Sequence, residues 1–392
     1  MSVAPRWRVP LALLATTVLN LPLGTVYAFS VFLRPMEAEL ALSRAELSFV
    51  FGATLVCYTL AMNLAPLAYR LAPAPVLIAA GGLLAGLGTA LASQATGLAA
   101  LLIGYAGGFG IGGGIAYVLF LQGVNLMLTR RQGLVNGFMV SLYPLGAMLG
   151  APLLGWALAG IGLRPTLLGL AAVLALAGLA AALLAALAGL SLVAPPASTR
   201  GAGAPRLGLF LRLWGVFFLA AASGLTVIGQ AAGIVRAYGG SAALGLLAAT
   251  FITGCIAAAR LGGGVLADRF TAPAVMAGAH ALALLADILL LAFPGPAVAV
   301  ASLAGIGIGY GLVSGSSAAA ISAYWGAARY GQIAARLYIA WCVAAVTLPV
   351  IAGRVFDLSG GYAAAIALAM LGNALGLGVA LSLPRRQAKA LA

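Results

Sequence analysis

Arg260 is the residue whose type and position most directly suggest chemistry. It lies in the apolar run 241–266. If that run crosses a membrane, its charge costs roughly 3 kcal/mol or more and needs a partner or a purpose. The guanidinium could reach for the interface, or pair with Asp268, on the order of 12 Å further along a helix. It could also bind a carboxylate through two parallel hydrogen bonds, which lysine cannot match geometrically.

Other polar side chains lie in apolar runs and could contact the same ligand. Tyr27, Tyr117 and Tyr143 each combine a hydroxyl that can hydrogen-bond a small anion with a ring that excludes water. Each could equally be an interfacial or interhelical aromatic residue. Gln230 and Ser314 are weaker candidates of the same kind.

Asp287 is the acidic residue that lies deepest within an apolar run. His280 precedes it by seven residues, so the two share one face of a helix two turns apart. This position makes Asp287 a candidate proton carrier. The alternative, which we favour at this stage, is a structural role or a position at a lipid-facing edge.

The composition excludes a soluble globular protein. Of 392 residues, 64% are hydrophobic and 7% are charged, against about 25% charged in soluble domains. Cys57, Cys255 and Cys342 are dispersed among apolar runs, so we expect neither a disulfide framework nor a metal or other cofactor. With one histidine, six acids and no spacing of a nucleophile and a base, the sequence does not suggest an enzyme.

Charges and helix breakers divide the chain into twelve apolar segments, six on each side of a linker. A segment of this kind must be helical, because hydrocarbon cannot satisfy an unpaired backbone. The predicted spans are 10–33, 47–68, 75–93, 98–128, 133–160, 165–193, 213–235, 241–266, 272–293, 297–323, 336–353 and 362–383. The predicted organisation is an N-terminal six-helix bundle (1–193), a cytoplasmic linker (194–212) and a C-terminal six-helix bundle (213–392).

The basic residues predict which side of the membrane the termini occupy. With twelve spans both termini lie on one side, and the loops on that side hold fourteen of the twenty basic residues. These are Arg6, Arg8, Arg70, Arg130, Arg131, Arg200, Arg206, Arg212, Arg269, Arg329, Arg336, Arg385, Arg386 and Lys389. By the positive-inside rule that side is cytoplasmic. The net charge of +14 is therefore a topology signal, and we predict no nucleic-acid partner.

The two halves carry an internal repeat. The segment ending at Arg70 after span 2 matches the one ending at Arg269 after span 8, an offset of 199 residues. Pro152 in span 5 and Pro349 in span 11 are 197 residues apart, and spans 4 and 10 both carry glycine clusters. Such glycines let neighbouring backbones approach closely. The repeat indicates two pseudo-symmetric six-helix bundles.

The motif after span 8 resembles the G-x-x-x-D-R loop of the major facilitator superfamily, with Gly264, Asp268 and Arg269 in its positions. The first-half copy is degenerate, with Ala65 and Tyr69 in place of the glycine and the aspartate. The resemblance implies a twelve-helix, all-α integral membrane transporter of the major facilitator fold. It also implies that the motif acts in conformational gating.

Further stretches are similar to the oxalate/formate antiporter group and the related monocarboxylate transporters. They are residues 24–32 with Pro35, residues 130–137, residues 224–230, Arg260-Leu261, and Gly353 through Asp357 to Tyr362. Two positions depart from that pattern. Trp341 stands where oxalate-type members usually have lysine, and Ile256 stands where monocarboxylate relatives often have aspartate. An apolar Trp341 would shrink the substrate cavity that the resemblance implies and would favour a substrate with a single carboxylate.

The resemblance implies a monomeric secondary transporter in a bacterial inner membrane that works by alternating access. In that interpretation Arg260 binds the carboxylate of a small organic anion, and Tyr27, Tyr117, Tyr143, Trp341, Gln230 and Ser314 line the cavity. A second ion could be co-transported or exchanged. The alternative is an efflux transporter for lipophilic or zwitterionic compounds, in which Arg260 is structural.

Overall fold

The computed structural model of the chain describes residues 7–128, 131–193 and 207–384. Within these ranges, twelve helices are long and apolar enough to span a membrane, which confirms the predicted all-α membrane fold. In chain order, α1 to α12 are Arg8–Leu40, Glu46–Ala68, Ala74–Ser93, Leu98–Met127, Gln132–Ile161, Leu163–Ala188, Leu207–Ala237, Ala243–Arg269, Ala272–Ala292, Pro296–Trp325, Tyr330–Phe356 and Ala363–Leu381.

Helix α6 shows why these helices suit a bilayer. The side chains of Leu176, Leu183 and Leu187 are 67%, 62% and 56% exposed. In water such a surface would promote association. In hydrocarbon the same leucines lie in an apolar environment that suits them, and the helix provides the hydrogen-bond partners for its own backbone. The chain is therefore an integral membrane protein.

Two helices begin six residues earlier than the sequence predicted. Helix α7 begins at Leu207 rather than 213, and α11 begins at Tyr330 rather than 336. Arg212 does not end the helix, because its guanidinium extends to the backbone oxygens of Gly208 and Ser382. Residues 207–212 of the predicted linker are thus helical, and its residues 194–206 lie outside the described ranges.

Four of the described spans depart from regular α-helix. In α2, Ala65–Ala68, which contains Pro66, is a 3-10 segment. In α1, a 3-10 segment, Gly24–Phe32, follows Pro22. In α4, Leu102–Phe109 is π-helical. Helix α11 is interrupted at Thr347, just before Pro349. A proline in a helix removes one backbone donor and clashes with the preceding turn, which explains the irregularities beside Pro22 and Pro349.

The chain forms two compact units. Unit 1 takes its described residues from Met1–Thr129, Leu142–Ala202 and Ala327–Ala335, and unit 2 from Arg130–Ser141, Gly203–Gly326 and Arg336–Ala392. The predicted bundles, 1–193 and 213–392, differ from these units in two short segments. Arg130–Ser141 belongs to unit 2, and Ala327–Ala335 belongs to unit 1. Local contacts explain both. The backbone of Gly133 packs against Gly264 in unit 2, and the Gly331 amide donates to Gln122 Oε1 in unit 1 at 2.7 Å.

Candidate functional site

Arg260 is buried in unit 2, with 3% of its surface exposed. Its Nη1 donates to the backbone oxygen of Val140 at 2.9 Å, and its Nη2 donates to the Tyr310 hydroxyl at 2.9 Å. The guanidinium carbon also lies 5.2 Å from the centre of the Tyr310 ring, within cation–π range. The side chain therefore does not reach for the interface. It is held in place by groups from α5 and α10.

Glycines allow α8 to pack closely around Arg260. A Cβ on Gly311 would lie 2.7 Å from the backbone oxygen of Ile256, and one on Gly315 would overlap the oxygen of Arg260 itself. On the α5 side, a Cβ on Gly137 would lie 2.8 Å from that same oxygen. Close packing of this kind is typical of small residues in membrane helices. It fixes the backbone from which the guanidinium projects.

Asp268 has a separate role from Arg260. Its two carboxylate oxygens accept hydrogen bonds from the backbone amides of Gly133 and Leu134, each at 2.8 Å. These amides belong to the first turn of α5, where helix N–H groups have no partner within the helix. The carboxylate therefore caps α5 from another helix, and its charge favours the positive end of the helix dipole.

Of the other two motif residues, Gly264 completes this arrangement. Gly264 lies so close to Gly133 that a Cβ at either position would overlap the carbonyl oxygen of the other. Arg269 is exposed, with its guanidinium carbon 5.7 Å from the centre of the Phe270 ring. Gly264 and Asp268 thus hold the start of α5 against the end of α8 within unit 2.

We expect Asp268→Asn to lower the free energy of unfolding by about 1–2 kcal/mol, because the neutral amide loses one charge-assisted hydrogen bond and the interaction with the helix dipole. The measurement is thermal denaturation of the purified protein in detergent. Glu39→Gln is the control, because it removes a charge from the exposed Arg164–Glu39 pair, which is worth about 0–1 kcal/mol. Equal melting temperatures for the two variants would contradict a capping role.

The three predicted tyrosines meet in unit 1. Tyr143 packs edge-on against Tyr27 and Tyr117, with ring centroids 6.3 and 5.0 Å apart. Tyr58, which the sequence analysis did not select, completes the cluster, because its hydroxyl hydrogen-bonds that of Tyr143. We call these four residues the tyrosine cluster. Tyr58, Tyr117 and Tyr143 are buried, whereas Tyr27 is half-buried.

The remaining candidates lie at different places in unit 2. Ser314 is buried on α10, one turn after Tyr310 and next to Gly315, so it is on the helix that contacts Arg260. Gln230 accepts a hydrogen bond from the Tyr362 hydroxyl at 3.1 Å, which places it with the segment before α12. Trp341 is buried and packs edge-on against Tyr338, which in turn packs against Phe217.

Asp287 does not face lipid, so the predicted position at a lipid-facing edge was wrong, while the structural role stays a prediction for this residue. It is fully buried, and its Oδ2 lies 2.8 Å from the Asn373 amide nitrogen. The Asn373 oxygen lies 3.1 Å from His280 Nδ1, and His280 Nε2 lies 3.2 Å from the Val216 oxygen. Within the described ranges, no group of three His, Cys, Asp or Glu side chains is placed to hold a metal ion.

Comparison with known proteins identifies the fold. No family model matches the chain, and no curated protein matches it in sequence. Solved structures do match over nearly the whole chain. The major facilitator superfamily transporter FucP in its outward conformation has a TM-score of 0.73 at 16% identity, covering 96% of this chain and 99% of that one.

Two further structures have the same fold. The proton:xylose symporter XylE, bound to 6-bromo-6-deoxy-D-glucose, has a TM-score of 0.74 at 14% identity and covers 96% of both chains. The human organic anion transporter MFSD10 (TETRAN) has a TM-score of 0.71 at 17% identity, covering 96% of this chain and 100% of that one. The chain therefore has the major facilitator fold. At these identities the likeness concerns the fold and leaves the substrate to be argued from the site.

Proposed function

We propose that this protein is a secondary active transporter that moves a small organic anion by alternating access, with the substrate carboxylate bound by Arg260. The major facilitator fold supports transport of a small substrate. FucP is described as a fucose:proton symporter, XylE as a proton:xylose symporter and MFSD10 as an organic anion transporter. The fold therefore leaves the substrate class open, and Arg260 is the residue that favours an anion.

The observation that carries the proposal is the burial of Arg260 in a membrane-spanning helix together with the groups that orient it. A cation at this depth is costly, and such residues mark substrate or ion pathways. Val140 and Tyr310 hold the guanidinium at two of its nitrogens, so little rotamer freedom remains to be lost when a ligand binds. Tyr310 also places a hydroxyl beside the guanidinium, where a carboxylate could contact both groups. Ser314, one turn further along α10, is a weaker candidate contact.

We further propose that the substrate carries one carboxylate. Trp341 stands where the resembling oxalate-type members usually have lysine, and here it lies in an aromatic row with Tyr338 and Phe217. A second carboxylate beside such a row would be desolvated by apolar surface, which is unfavourable for a charge. Loss of a second cation therefore favours a monocarboxylate over oxalate.

The tyrosine cluster is the proposed substrate contact in unit 1. Its rings offer apolar edges, and its hydroxyls offer donors and acceptors suited to a small polar molecule. Gln230 of unit 2 is the least supported candidate, because it is already hydrogen-bonded to Tyr362. We propose that it stabilises the connection to α12.

The test is uptake of labelled monocarboxylates and of oxalate into proteoliposomes, with and without a pH gradient. We expect saturable uptake of at least one monocarboxylate and weaker uptake of oxalate. High-affinity oxalate uptake would overturn the single-carboxylate proposal. If a correctly folded preparation moves none of these anions, the anion proposal itself fails.

One observation favours a second candidate function, efflux of lipophilic or zwitterionic compounds. The bonds of Arg260 to Val140 and Tyr310 connect α8 with α5 and α10, and a residue with that task alone would be structural. Simple carboxylates separate the two functions. They should compete with the substrate of an anion transporter and leave efflux of a lipophilic dye unchanged.

The distribution of arginines supports an orientation with both termini in the cytoplasm, and we propose a monomer in a bacterial inner membrane. Labelling of single cysteines in intact cells tests the orientation. A cysteine replacing exposed Leu71, in the basic loop after α2, should resist a membrane-impermeant maleimide, whereas one replacing Gly361 should react.

A further inference from the structure

Asp287, Asn373 and His280 form a buried row of polar side chains in unit 2. Their exposed fractions are 0%, 1% and 1%. Asn373 lies between the other two, 2.8 Å from Asp287 Oδ2 and 3.1 Å from His280 Nδ1. This row of polar contacts ends at the backbone oxygen of Val216, which lies 3.2 Å from His280 Nε2. We call these three residues the buried triad.

The packing around His280 keeps the ring in this position. A Cβ on Gly376, one turn after Asn373 on α12, would lie 2.5 to 2.6 Å from the two ring nitrogens. Glycine therefore makes the room that the imidazole occupies. The surrounding helices therefore hold the imidazole with one ring nitrogen toward Asn373 and the other toward the Val216 oxygen.

The donors and acceptors of the triad can be counted from the Val216 end. A backbone oxygen only accepts, so His280 Nε2 should carry a hydrogen. In a neutral imidazole, Nδ1 must then accept, and Asn373 must turn its NH₂ group toward it. The side-chain oxygen and nitrogen of asparagine have the same shape, so the amide can bind either way round. Turned in this way, the amide oxygen faces Asp287 Oδ2, which must carry a hydrogen as well.

The opposite orientation of the amide leads to the same number of protons. If the Asn373 oxygen faces His280 Nδ1, both ring nitrogens face acceptors, and satisfying them requires an imidazolium beside an ionised Asp287. Either arrangement contains one proton more than a neutral histidine and a carboxylate. Without that proton, a nitrogen lone pair would face an acceptor oxygen and a negative charge would be buried.

The burial of the three side chains decides between the two arrangements. Separating an imidazolium from a carboxylate by an amide, out of contact with water, costs more than keeping both groups neutral. The second oxygen of Asp287, Oδ1, is buried and has no hydrogen-bond partner among the described residues. A buried carbonyl oxygen of a neutral acid tolerates the lack of a partner better than a charged carboxylate oxygen does.

Charged groups on the helices packed against α9 either have their own partners or are exposed. Helix α12 contains no charged residue. On α8, Arg260 bonds Val140 and Tyr310, and Asp268 bonds the α5 amides. The other ionisable residues described on α7 are Arg212, which bonds backbone oxygens, and Arg236, which is exposed. On α8 they are Cys255, which is half-buried, and Arg269, which lies beside Phe270. On α10 they are Tyr310, which accepts a hydrogen bond from Arg260, and Tyr324, which donates one to the Pro384 oxygen.

We propose that the buried triad is a proton-binding site in which Asp287 carries a proton at neutral pH while His280 is neutral, the two being connected through the Asn373 amide. The ligand is one proton, and the site is distinct from the anion site at Arg260. The proposal does not rest on the transport function, because it concerns the protonation of the folded protein.

The composition of the chain makes the test unusually direct. His280 is the one histidine of the sequence, so protein labelled with ¹⁵N-histidine contains a single labelled imidazole. Carboxyl-¹³C-aspartate labels three residues, Asp268, Asp287 and Asp357. Infrared difference spectra between labelled and unlabelled protein at pH 7 should contain a protonated-carboxyl band. This band should be absent in Asp287→Asn and present in Asp268→Asn.

The ¹⁵N spectrum of wild type at pH 7 should contain one protonated and one unprotonated ring nitrogen. An ionised Asp287 at pH 7, beside a histidine of either charge, would overturn the proposal. The fold provides a second comparison, because Asp287→Asn keeps a donor toward Asn373 while Asp287→Leu removes it. We expect the asparagine variant to keep the wild-type melting temperature and the leucine variant to lower it. A lower melting temperature in both would contradict a neutral acid at this position.

Discussion

Replacing Arg260 with glutamine is expected to lower kcat/KM for saturable carboxylate uptake about 100-fold or more. Glutamine keeps a hydrogen-bond donor but loses the charge and the planar fork. Removing one partner of a buried, hydrogen-bonded charge pair costs about 2–5 kcal/mol. Each 1.4 kcal/mol is about tenfold, so a loss near 3 kcal/mol gives the expected factor. The measurement is initial uptake into proteoliposomes over a range of substrate concentrations.

Two other variants separate the charge from its geometry and its position. Arg260→Lys keeps the charge without the bidentate fork, so we expect an intermediate loss of about tenfold. Arg212→Gln removes an exposed arginine of the same unit, which bonds the backbone oxygens of Gly208 and Ser382. It should transport like wild type. If Arg260→Gln folds and carries the carboxylate with unchanged kcat/KM, the arginine is structural and efflux becomes the better reading.

The fold was predictable because its signals are local. A bilayer requires long apolar helices, and the charges at their ends set most boundaries. The predicted span 75–93 therefore agrees closely with the observed helix Ala74–Ser93. The starts of α7 and α11 were misplaced for one reason. Hydropathy locates where the apolar part of a helix ends, whereas the helix itself can continue through a residue such as Arg212 or Arg336.

The site was only partly predictable because its contacts are distant in sequence. The type of Arg260 drew attention to it, but its partner Val140 contributes a backbone oxygen, which any residue would supply. Tyr310 is 50 residues away, and no periodicity connects it with Arg260. Tyr27, Tyr117 and Tyr143 were chosen singly, and the same criterion, a tyrosine in a span, could have added Tyr58.

The buried triad shows the same limit. The i, i+7 spacing placed His280 and Asp287 on one face, but it did not show what that face contacts. Asn373 carried a usable signal, since a polar amide within an otherwise apolar span calls for a partner. What the sequence could not supply is that α12 brings this amide between the two.

Gly264→Ala is expected to impair both stability and transport, because a Cβ there would overlap the carbonyl oxygen of Gly133. The start of α5 would have to move away from α8, and Asp268 would lose its hydrogen bonds to the first-turn amides. Overpacking of this kind costs roughly 1–3 kcal/mol. If the motif acts in gating, as its resemblance implies, uptake should fall further than the loss of folded protein explains.

Gly262→Ala is the matched control. It lies two residues earlier on the same helix, and a Cβ there would meet no atom within 4 Å. Both substitutions gain the same helix propensity, about 1 kcal/mol for glycine to alanine, so the difference between them reports the contact with Gly133. We expect Gly262→Ala to match or exceed wild-type stability in thermal denaturation and to transport normally. Identical behaviour of the two variants would mean that close approach of α5 to α8 at Gly264 contributes nothing to the fold or the transport cycle.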